Sequence, residues 1–280
     1  MKRYRQFKFQ IAAVAIVLMS VGCAQAPTKI FTTQNIDTLF LEKELQRPIK
    51  INAKTIFVDA RSNFQYALLH APQSVHVDRT DFTKTSKSTV LKNDLKREVQ
   101  RLALLGITPT SNVVVLSGRS GKSWIDAGYV AWALMYVGVR SVQLVDMHSL
   151  HIRYYNVTPP PRPNAPMWKP NFDRSMVATR AEIKKFAAKF NGRQLHLLDT
   201  RSRDDFSFRW RPFFNKDDRP SLEMKRKLNA RGIKGGDRII VLSSRGLRSA
   251  AVAYALLAMG FRNVGTLPGG YYELLNRVSH

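Results

Sequence analysis

The residues best placed for chemistry lie between two apolar segments near the carboxyl terminus. Residues 239–242 read Ile-Ile-Val-Leu and predict a buried strand, and residues 247–259 carry a helical pattern. The connecting loop is short, polar and contains glycine; its residues are Ser243, Ser244, Arg245, Gly246, Leu247 and Arg248. A strand that enters a helix through such a turn directs several backbone N–H groups at one point. The loop predicts either a cradle for a small oxyanion, with Arg248 adding charge, or an ordinary strand-to-helix connection.

Ser243 is also a candidate nucleophile, so a serine hydrolase has to be considered. Such an enzyme needs a base beside the serine and a nucleophile elbow of the Gly-x-Ser-x-Gly type. The loop contains no such elbow, and His196 lies just ahead of Asp199 on the same predicted strand. Serine hydrolysis is therefore not expected.

Two further constellations resemble binding sites without meeting their requirements. Residues 118–123, Gly-Arg-Ser-Gly-Lys-Ser, hold two residues between their glycines, whereas a phosphate-binding Walker loop needs four. His148 and His151 are spaced for a shared helical face, but no third ligand accompanies them. We expect no nucleotide, no metal site and no cofactor.

The amino terminus has the pattern of an export signal. Residues 1–22 combine a basic start with a short apolar segment, and Cys23, the only cysteine, follows directly. This arrangement resembles a bacterial lipoprotein signal, which implies that Cys23 is lipidated, becomes the first residue of the mature chain and anchors it to the membrane. The alternatives are a plain signal peptide or an uncleaved anchor. We expect a protein that is lipid-anchored to the bacterial cell envelope and faces the periplasm.

The net charge limits the classes of binding partner that are expected. The chain carries a formal charge of +25, and loss of four basic residues with the signal leaves 25 − 4 = +21. Such a charge suits anionic surfaces. No basic stripe with interleaved aromatic residues is present, so nucleic acid is not an expected partner. A small oxyanion and an envelope protein remain as candidates.

Strands that alternate with helices predict a parallel α/β fold. Apolar spacing before residue 50, at Ile36, Leu39, Phe40, Leu41 and Leu45, indicates a further helix. The predicted strands are Lys54–Asp59, Asn112–Leu116, Val142–Val145 and Gln194–Asp199. The predicted helices are Leu91–Leu105, Trp124–Val137 and one that follows residues 179–182. Residues 179–182, Thr-Arg-Ala-Glu, have the spacing of a helical capping box.

The sequence contains an internal repeat. Residues 102–117 correspond to residues 228–243 at a constant offset of 126, and the Asp-x-Arg sequence at Asp59 and Arg61 returns at Asp199 and Arg201. Six prolines between residues 156 and 170 preclude regular structure between the copies. We therefore expect a signal over residues 1–22, one domain over residues 28–155, a linker over residues 156–170 and a second domain over residues 171–280.

Several of these motifs together resemble the rhodanese family. Its signature combines Asp-x-Arg, a following aromatic residue and a Gly-His-Ile-Pro-Gly-Ala segment; Asp59, Arg61, Tyr66, His70 and Pro72 stand in register with it. The end of the 243–248 loop, Arg-Ser-Ala, and the Gly-Gly-Tyr of residues 269–271 resemble the active-site loop and the closing motif of that domain. The order of motifs is similar to that of two-domain thiosulfate and mercaptopyruvate sulfurtransferases.

The resemblance implies two domains, each a five-stranded parallel sheet flanked by helices. Active members carry a cysteine, which holds sulfur as a persulfide, where this chain has Ser243; the first copy has Ser117. A serine hydroxyl stays protonated and cannot hold a transferable sulfur atom. We therefore expect a non-catalytic protein, the alternative being a sulfurtransferase-family enzyme with an unrecognised nucleophile.

The Asp-x-Arg pairs, His70 and one aromatic segment are predicted to have structural roles. The pairs Asp59–Arg61 and Asp199–Arg201 recur at strand ends, which favours ion pairs that fix a loop. The resemblance implies that His70 packs and forms hydrogen bonds. The aromatic segment Phe206–Phe214 predicts a buried contact between the domains, with an exposed binding patch as the alternative.

Overall fold

The computed structural model describes residues 54–86, 89–118, 123–150, 163–188, 195–201 and 211–275. The predicted signal, Cys23 and the helix expected around Ile36 lie outside the described residues. No helix in the described part of the chain is long and apolar enough to cross a membrane.

The first domain is built on a parallel sheet of β-branched strands. The sheet order is β2-β1-β3-β4, and all three pairings are parallel. Nearly every residue of β1 and β3 is buried, as expected for strands covered by helices on both faces. The strands are β1 (Ile56–Asp59), β2 (Val75–His76), β3 (Asn112–Ser117) and β4 (Ser141–Asp146).

In the described part of the first domain the α-helices are α1 (Asn63–Leu68), α2 (Lys96–Leu104) and α3 (Ser123–Val137). The prediction that α2 begins at Leu91 is wrong, because Leu91 instead forms an antiparallel bridge with Thr83. The apolar residues keep a helical spacing ahead of Lys96, although the segment before Lys96 packs without forming a helix. Short 3₁₀ turns lie at Arg79–Asp81 and Met147–Leu150.

The second domain repeats the arrangement with fewer strands. Its parallel sheet has the order β5-β6-β7. Thr179 and Glu182 form the predicted capping box, since the Glu182 amide donates to Thr179 Oγ1 at 3.0 Å and the Thr179 amide to Glu182 Oε2 at 3.4 Å. The elements are α4 (Arg180–Ala188), β5 (Leu195–Asp199), α5 (Leu222–Ala230), β6 (Arg238–Leu242), α6 (Leu247–Ala258), β7 (Asn263–Thr266) and α7 (Gly270–Leu274). Further 3₁₀ turns lie at Arg174–Met176 and Arg211–Phe213.

The strand count is lower than the family resemblance implies. Within the described residues the sheets contain four and three strands instead of five each. Val177 extends the second sheet by a single parallel bridge to Thr266, without forming a strand of its own.

One hydrophobic core runs through both domains. Helices α3 and α6 are apolar on nearly every face, which requires burial on all sides. They pack directly on each other: a Cβ atom added to Gly128 would lie 2.5 Å from the Cβ of Ala251. One large cluster of buried residues therefore spans both domains, and a separate, smaller cluster lies in the second domain: Ala178, Ile183, Ile240, Leu242 and Leu267.

The described part of the proline-rich linker lies against the first domain. The Ala165 amide donates to the Ala103 carbonyl at 2.8 Å, and Trp168 Nε1 donates to the Ile107 carbonyl at 3.0 Å. These contacts hold the chain along α2 and its C-terminal turn before it enters the second domain.

Candidate functional site

The loop after β6 is closely packed by the segment that precedes α7. Gly246 has a φ of +91°, and a Cβ atom there would lie 1.6 Å from the Pro268 carbonyl oxygen. A Cβ atom at Gly270 would lie 2.4 Å from the Ser243 carbonyl oxygen. The Tyr271 amide donates to that same oxygen at 2.8 Å. Only glycine fits at either position, so the loop is held in a single shape.

The Ser243 side chain points into the loop. It is 2% exposed, and Ser243 Oγ accepts the amide N–H groups of Gly246 at 3.0 Å and Ser249 at 3.2 Å. The Ser243 hydroxyl donates to Ser249 Oγ at 3.1 Å, and Ser249 Oγ also accepts from Thr266 Oγ1 at 2.7 Å. Ser243 Oγ thus makes the three hydrogen bonds that a hydroxyl group can form and takes two of the amides that would otherwise face a ligand.

Three backbone amides of the loop have no protein acceptor in the part of the chain that the structure describes. Within the described residues, the backbone amides of Ser244, Arg245 and Leu247 have no protein acceptor within hydrogen-bonding distance. Ser244, Arg245 and Arg248 are exposed at the rim of the loop. The arrangement therefore combines an occupied interior with three amides that lack a protein acceptor in the described chain and two exposed arginines.

The first domain borders this loop. Thr89 Oγ1 donates a short hydrogen bond to the Arg245 carbonyl, and Thr89 is itself nearly buried. Tyr129 of α3 donates its hydroxyl to the Thr89 carbonyl at 3.2 Å. A residue of one domain thus positions the loop of the other.

The two Asp-x-Arg pairs have the same geometry in both domains. Arg61 Nη2 lies 2.7 Å from Asp59 Oδ2, and the Arg61 amide donates to Asp59 Oδ1 at 3.1 Å. Arg201 makes the equivalent contacts with Asp199, and its amide donates to Asp199 Oδ1 at 2.9 Å. Each arginine thereby closes the turn that follows its strand.

The arginines reach different partners beyond these turns. Arg61 donates to the Leu69 carbonyl, whereas the guanidinium carbon of Arg201 lies 3.7 Å from the centre of the Tyr271 ring. Burial acts to raise the pKa of Asp199, but hydrogen bonds from Arg201 outweigh it and hold that pKa below its ordinary value. The second pair therefore connects β5 to the segment that packs the 243–248 loop.

His70 is a packed side chain at the edge of the first sheet. It is 3% exposed, its Nδ1 lies 2.9 Å from the Tyr66 carbonyl, and its ring stacks on Tyr66 with centroids 4.5 Å apart. Tyr66 in turn donates its hydroxyl to the Ser74 carbonyl at 2.8 Å. These contacts fix the helix-to-strand connection that follows Arg61.

Two further histidines of the described residues each lie against one aspartate. His148 Nδ1 lies 2.9 Å from Asp146 Oδ1, and His196 Nε2 lies 3.0 Å from Asp237 Oδ2; His151 is outside the described residues. No group of three or more histidine, cysteine or acidic side chains in the described chain could hold a metal ion.

Sequence reasoning missed the contact at Ser117. Ser117 is fully buried, and its hydroxyl donates to Asp218 Oδ2 of the second domain at 2.7 Å. Arg211 binds the other oxygen of that carboxylate at 2.6 Å. A buried carboxylate at this position has no short-range signal in the sequence, because its partner lies 101 residues away.

The described end of the Phe206–Phe214 segment is buried between the domains. Phe213 and Phe214 are 0% and 4% exposed, and the ring of Phe214 lies 5.4 Å from that of Trp124 in the first domain. The rest of the segment lies outside the described residues.

The fold and the repeated motifs define a class of protein: two parallel α/β domains with a glycine-containing loop after the central strand. The sequence profile of the rhodanese-like domain matches the chain twice, over residues 41–148 and 182–277. The chain therefore belongs to the rhodanese family. No curated protein sequence matches it.

Solved structures agree on the fold at low sequence identity. EanB in complex with hercynine has a TM-score of 0.64 and 17% identity, over 82% of this chain and 64% of that one. Escherichia coli SseA, described as a 3-mercaptopyruvate sulfotransferase, has a TM-score of 0.61 and 16% identity, over 76% of this chain and 91% of that one. This chain thus spans less than two thirds of the EanB chain, and these likenesses establish the fold alone.

Proposed function

We propose that this protein is a non-catalytic rhodanese-family lipoprotein of the bacterial envelope whose 243–248 loop binds a small oxyanion. The observation that carries the proposal is the environment of Ser243. Its hydroxyl stands at the position of the family's sulfur-carrying cysteine and is held by three hydrogen bonds inside the loop. An oxygen in this place has neither the polarizability nor the low pKa that persulfide chemistry needs.

The loop retains features that suit anion binding. The amides of Ser244, Arg245 and Leu247 have no acceptor in the described part of the protein, and Arg245 and Arg248 lie exposed at its rim. Backbone amides and guanidinium groups are the usual partners of oxyanions in proteins. We place the anion at this outer rim, because Ser243 Oγ occupies the interior.

The alternative is an enzyme that acts through another nucleophile. Ser243 as the nucleophile needs a base within hydrogen-bonding reach. Its hydroxyl bonds Ser249 instead, and the ring nitrogens of His148 and His196 lie against Asp146 and Asp237. With Cys23 as the only cysteine in the sequence, no thiol of the folded domains can replace it. These contacts favour the non-catalytic proposal.

A cyanide–thiosulfate assay separates the two possibilities. We expect no sulfur transfer by the wild type and measurable transfer by Ser243→Cys, because the amides of Gly246 and Ser249 would then face a thiolate. Ser244→Cys is the matched control, since it places a thiol in the same loop but on its exposed side; we expect it to stay inactive. Wild-type activity equal to that of Ser243→Cys would overturn the non-catalytic proposal.

Anion binding is tested separately by titration calorimetry with thiosulfate, sulfate and phosphate. We expect binding in the millimolar range and a loss of most of it in Arg248→Gln, which removes the charge without shortening the side chain greatly. No heat of binding at millimolar anion in the folded wild type would contradict the assignment of the loop.

The lipid anchor is tested by Cys23→Ser in the full chain. If Cys23 carries the lipid, the wild type partitions with membranes and incorporates labelled fatty acid, whereas the variant incorporates none. Equal labelling of both proteins would show that the anchor lies elsewhere.

A further inference from the structure

A rigid turn of the second domain projects towards the first. Asn215 Oδ1 accepts the amides of Asp217 at 2.9 Å and Arg219 at 3.0 Å, and the Asn215 amide donates to the Arg219 carbonyl at 2.8 Å. Phe214 and Pro220 close the turn with an antiparallel bridge. Asp218 lies at its tip with a φ of +58°, a left-handed conformation that costs an aspartate energy. The turn holds that conformation and so fixes the direction of the Asp218 side chain.

The tip of the turn meets the carboxyl ends of β3 and β4. The Asp146 amide, at the end of β4, donates to the Asp217 carbonyl at 2.8 Å. The Ser117 hydroxyl, at the end of β3, donates to Asp218 Oδ2 at 2.7 Å. Carboxyl ends of parallel strands are where α/β proteins bind ligands.

Both oxygens of the Asp218 carboxylate are therefore held by separate donors. Arg211 Nη1 binds Asp218 Oδ1 at 2.6 Å, and the Arg211 guanidinium carbon lies 5.9 Å from the Trp124 ring centre of the first domain. Asp218 is 6% exposed and Ser117 is fully buried. A hydroxyl on one oxygen and a guanidinium on the other is an arrangement that recognises a carboxylate.

We propose that Ser117 of the first domain and Arg211 of the second form a carboxylate-binding site where the domains meet, at the carboxyl ends of β3 and β4, and that the Asp218 side chain is its built-in occupant. In this arrangement one donor from each domain binds the Asp218 carboxylate, as the two donors would bind a small carboxylate ligand. The site holds the two domains together, and an acetate-sized carboxylate is the class of ligand that fits when the Asp218 side chain is absent.

Burial and a neighbouring carboxylate disfavour the ionised form of Asp218. Burial raises the pKa of Asp218 above its ordinary value, and the nearby Asp146 carboxylate adds to that effect, whereas Ser117 and Arg211 oppose it. Asp146 itself accepts from His148. Ser117 and Arg211 thus stabilise the ionised carboxylate, while burial and Asp146 disfavour it. Binding of a carboxylate at this place therefore depends on the contacts with Ser117 and Arg211.

The test is chemical rescue of Asp218→Gly in the full chain. Glycine accepts a φ of +58°, so the turn keeps its backbone while the carboxylate leaves an opening. We expect the variant to melt at a lower temperature than the wild type. Acetate at ten times its dissociation constant should then raise the melting temperature by about 3–5 °C, with saturation, whereas chloride at the same ionic strength should not.

Two controls identify the site. The wild type should show no acetate-specific shift, because Asp218 fills the site, and Asp218→Gly combined with Ser117→Ala should lose most of the rescue. A folded Asp218→Gly variant that responds equally to acetate and chloride would overturn the proposal.

A double-mutant cycle keeps the proposal testable if Asp218→Gly fails to fold. The melting shifts of Ser117→Ala and Asp218→Asn are compared with that of the combined variant. We expect the combined shift to be smaller than the sum, since Ser117→Ala removes this hydrogen bond and Asp218→Asn weakens the same bond by taking the negative charge from its acceptor. Additive shifts would contradict a shared site.

Discussion

The same Asp-x-Arg pair lies at two different depths in this molecule. The side chains of Asp59 and Arg61 are 0% and 8% exposed, whereas those of Asp199 and Arg201 are 28% and 30% exposed. The chemistry and the turn geometry are the same in both, so the repeat isolates the effect of burial. A buried charge that loses its partner cannot be solvated, while an exposed one is hydrated by water.

We predict that Asp59→Ala destabilises the protein by about 3–5 kcal/mol, because it leaves the Arg61 guanidinium buried without its carboxylate. Asp199→Ala is the internal control and should cost less than about 1 kcal/mol. Urea unfolding followed by circular dichroism measures both. Equal losses would show that depth does not determine the contribution of this pair.

Asp218 gives a second prediction at the residue scale, concerning pH. Its folded-state pKa is raised, first by burial, so the folded protein holds this proton more tightly than the unfolded chain. The associated stability is present below the ordinary aspartate pKa of about 4 and is lost as the pH rises through the higher folded value.

We expect the wild type to lose stability relative to Asp218→Asn as the pH rises from about 4 to about 7, because asparagine has the same shape and no titration. Asparagine also tolerates the positive φ at this position. The measurement is the difference in free energy of unfolding between the two proteins across that range. A difference independent of pH would rule out a raised pKa for Asp218.

At the scale of elements, the connection from β6 to α6 depends on close backbone contacts. Pro268 and Gly270 lie directly on the 243–248 loop, and the amides of Tyr271 and Tyr272 donate to its carbonyls. The N-terminus of α6 has no side-chain cap, since its capping residue is Gly246. The geometry of the loop therefore comes from the neighbouring segment as well as from its own sequence.

We predict that Gly246→Ala is strongly destabilising, by more than about 3 kcal/mol. The new Cβ would meet the Pro268 carbonyl at 1.6 Å, and the φ of +91° is unfavourable for alanine. Gly236→Ala is the control, because nothing lies within 4 Å of a Cβ atom there and its φ is not positive. Chemical unfolding should show a change within about 0.5 kcal/mol for this control. A similarly small change in Gly246→Ala would contradict the packing.

The elements that the sequence predicted well are those with local signals. The strand ending at Leu242, the helix beginning at Leu247 and the capping box at Thr179 follow from periodicity and neighbouring residues, and the structure confirms them. The start of α2 was wrong because Leu91 continues an apolar spacing outside the helix. Local patterns report which residues are buried, but not whether they are buried by a helix or by a bridge.

The candidate site also has a part that the sequence predicts and a part that it does not. The position of the loop was predictable from its glycine and polar residues, whereas the three hydrogen bonds of Ser243 depend on Gly246 and Ser249 turning back onto its hydroxyl. The Ser117–Asp218 contact was not predictable, since it joins two domains through a left-handed aspartate. Contacts of this range appear only once the domains are packed.

At the scale of the whole molecule, the two domains share their most buried helices. Helices α3 and α6 occupy equivalent places in the repeat and cross each other where Gly128 faces Ala251. Tyr254 of α6 also reaches the first domain, where its hydroxyl lies 3.5 Å from the Val142 carbonyl. Because the larger apolar cluster includes residues of both domains, each domain loses packing partners in its core when the other unfolds.

We therefore predict a single cooperative unfolding transition for the wild type in differential scanning calorimetry, and its division into two in Gly128→Val. Valine at this position would place its Cβ 2.5 Å from that of Ala251, which forces α3 and α6 apart and costs about 1–3 kcal/mol for the overpacking itself. Gly236→Val adds the same atoms in open space and should keep one transition at nearly the same temperature. Two transitions already present in the wild type would mean that the helix crossing does not couple the domains. One transition in Gly128→Val, shifted no further than in Gly236→Val, would mean that the close approach at Gly128 is not required.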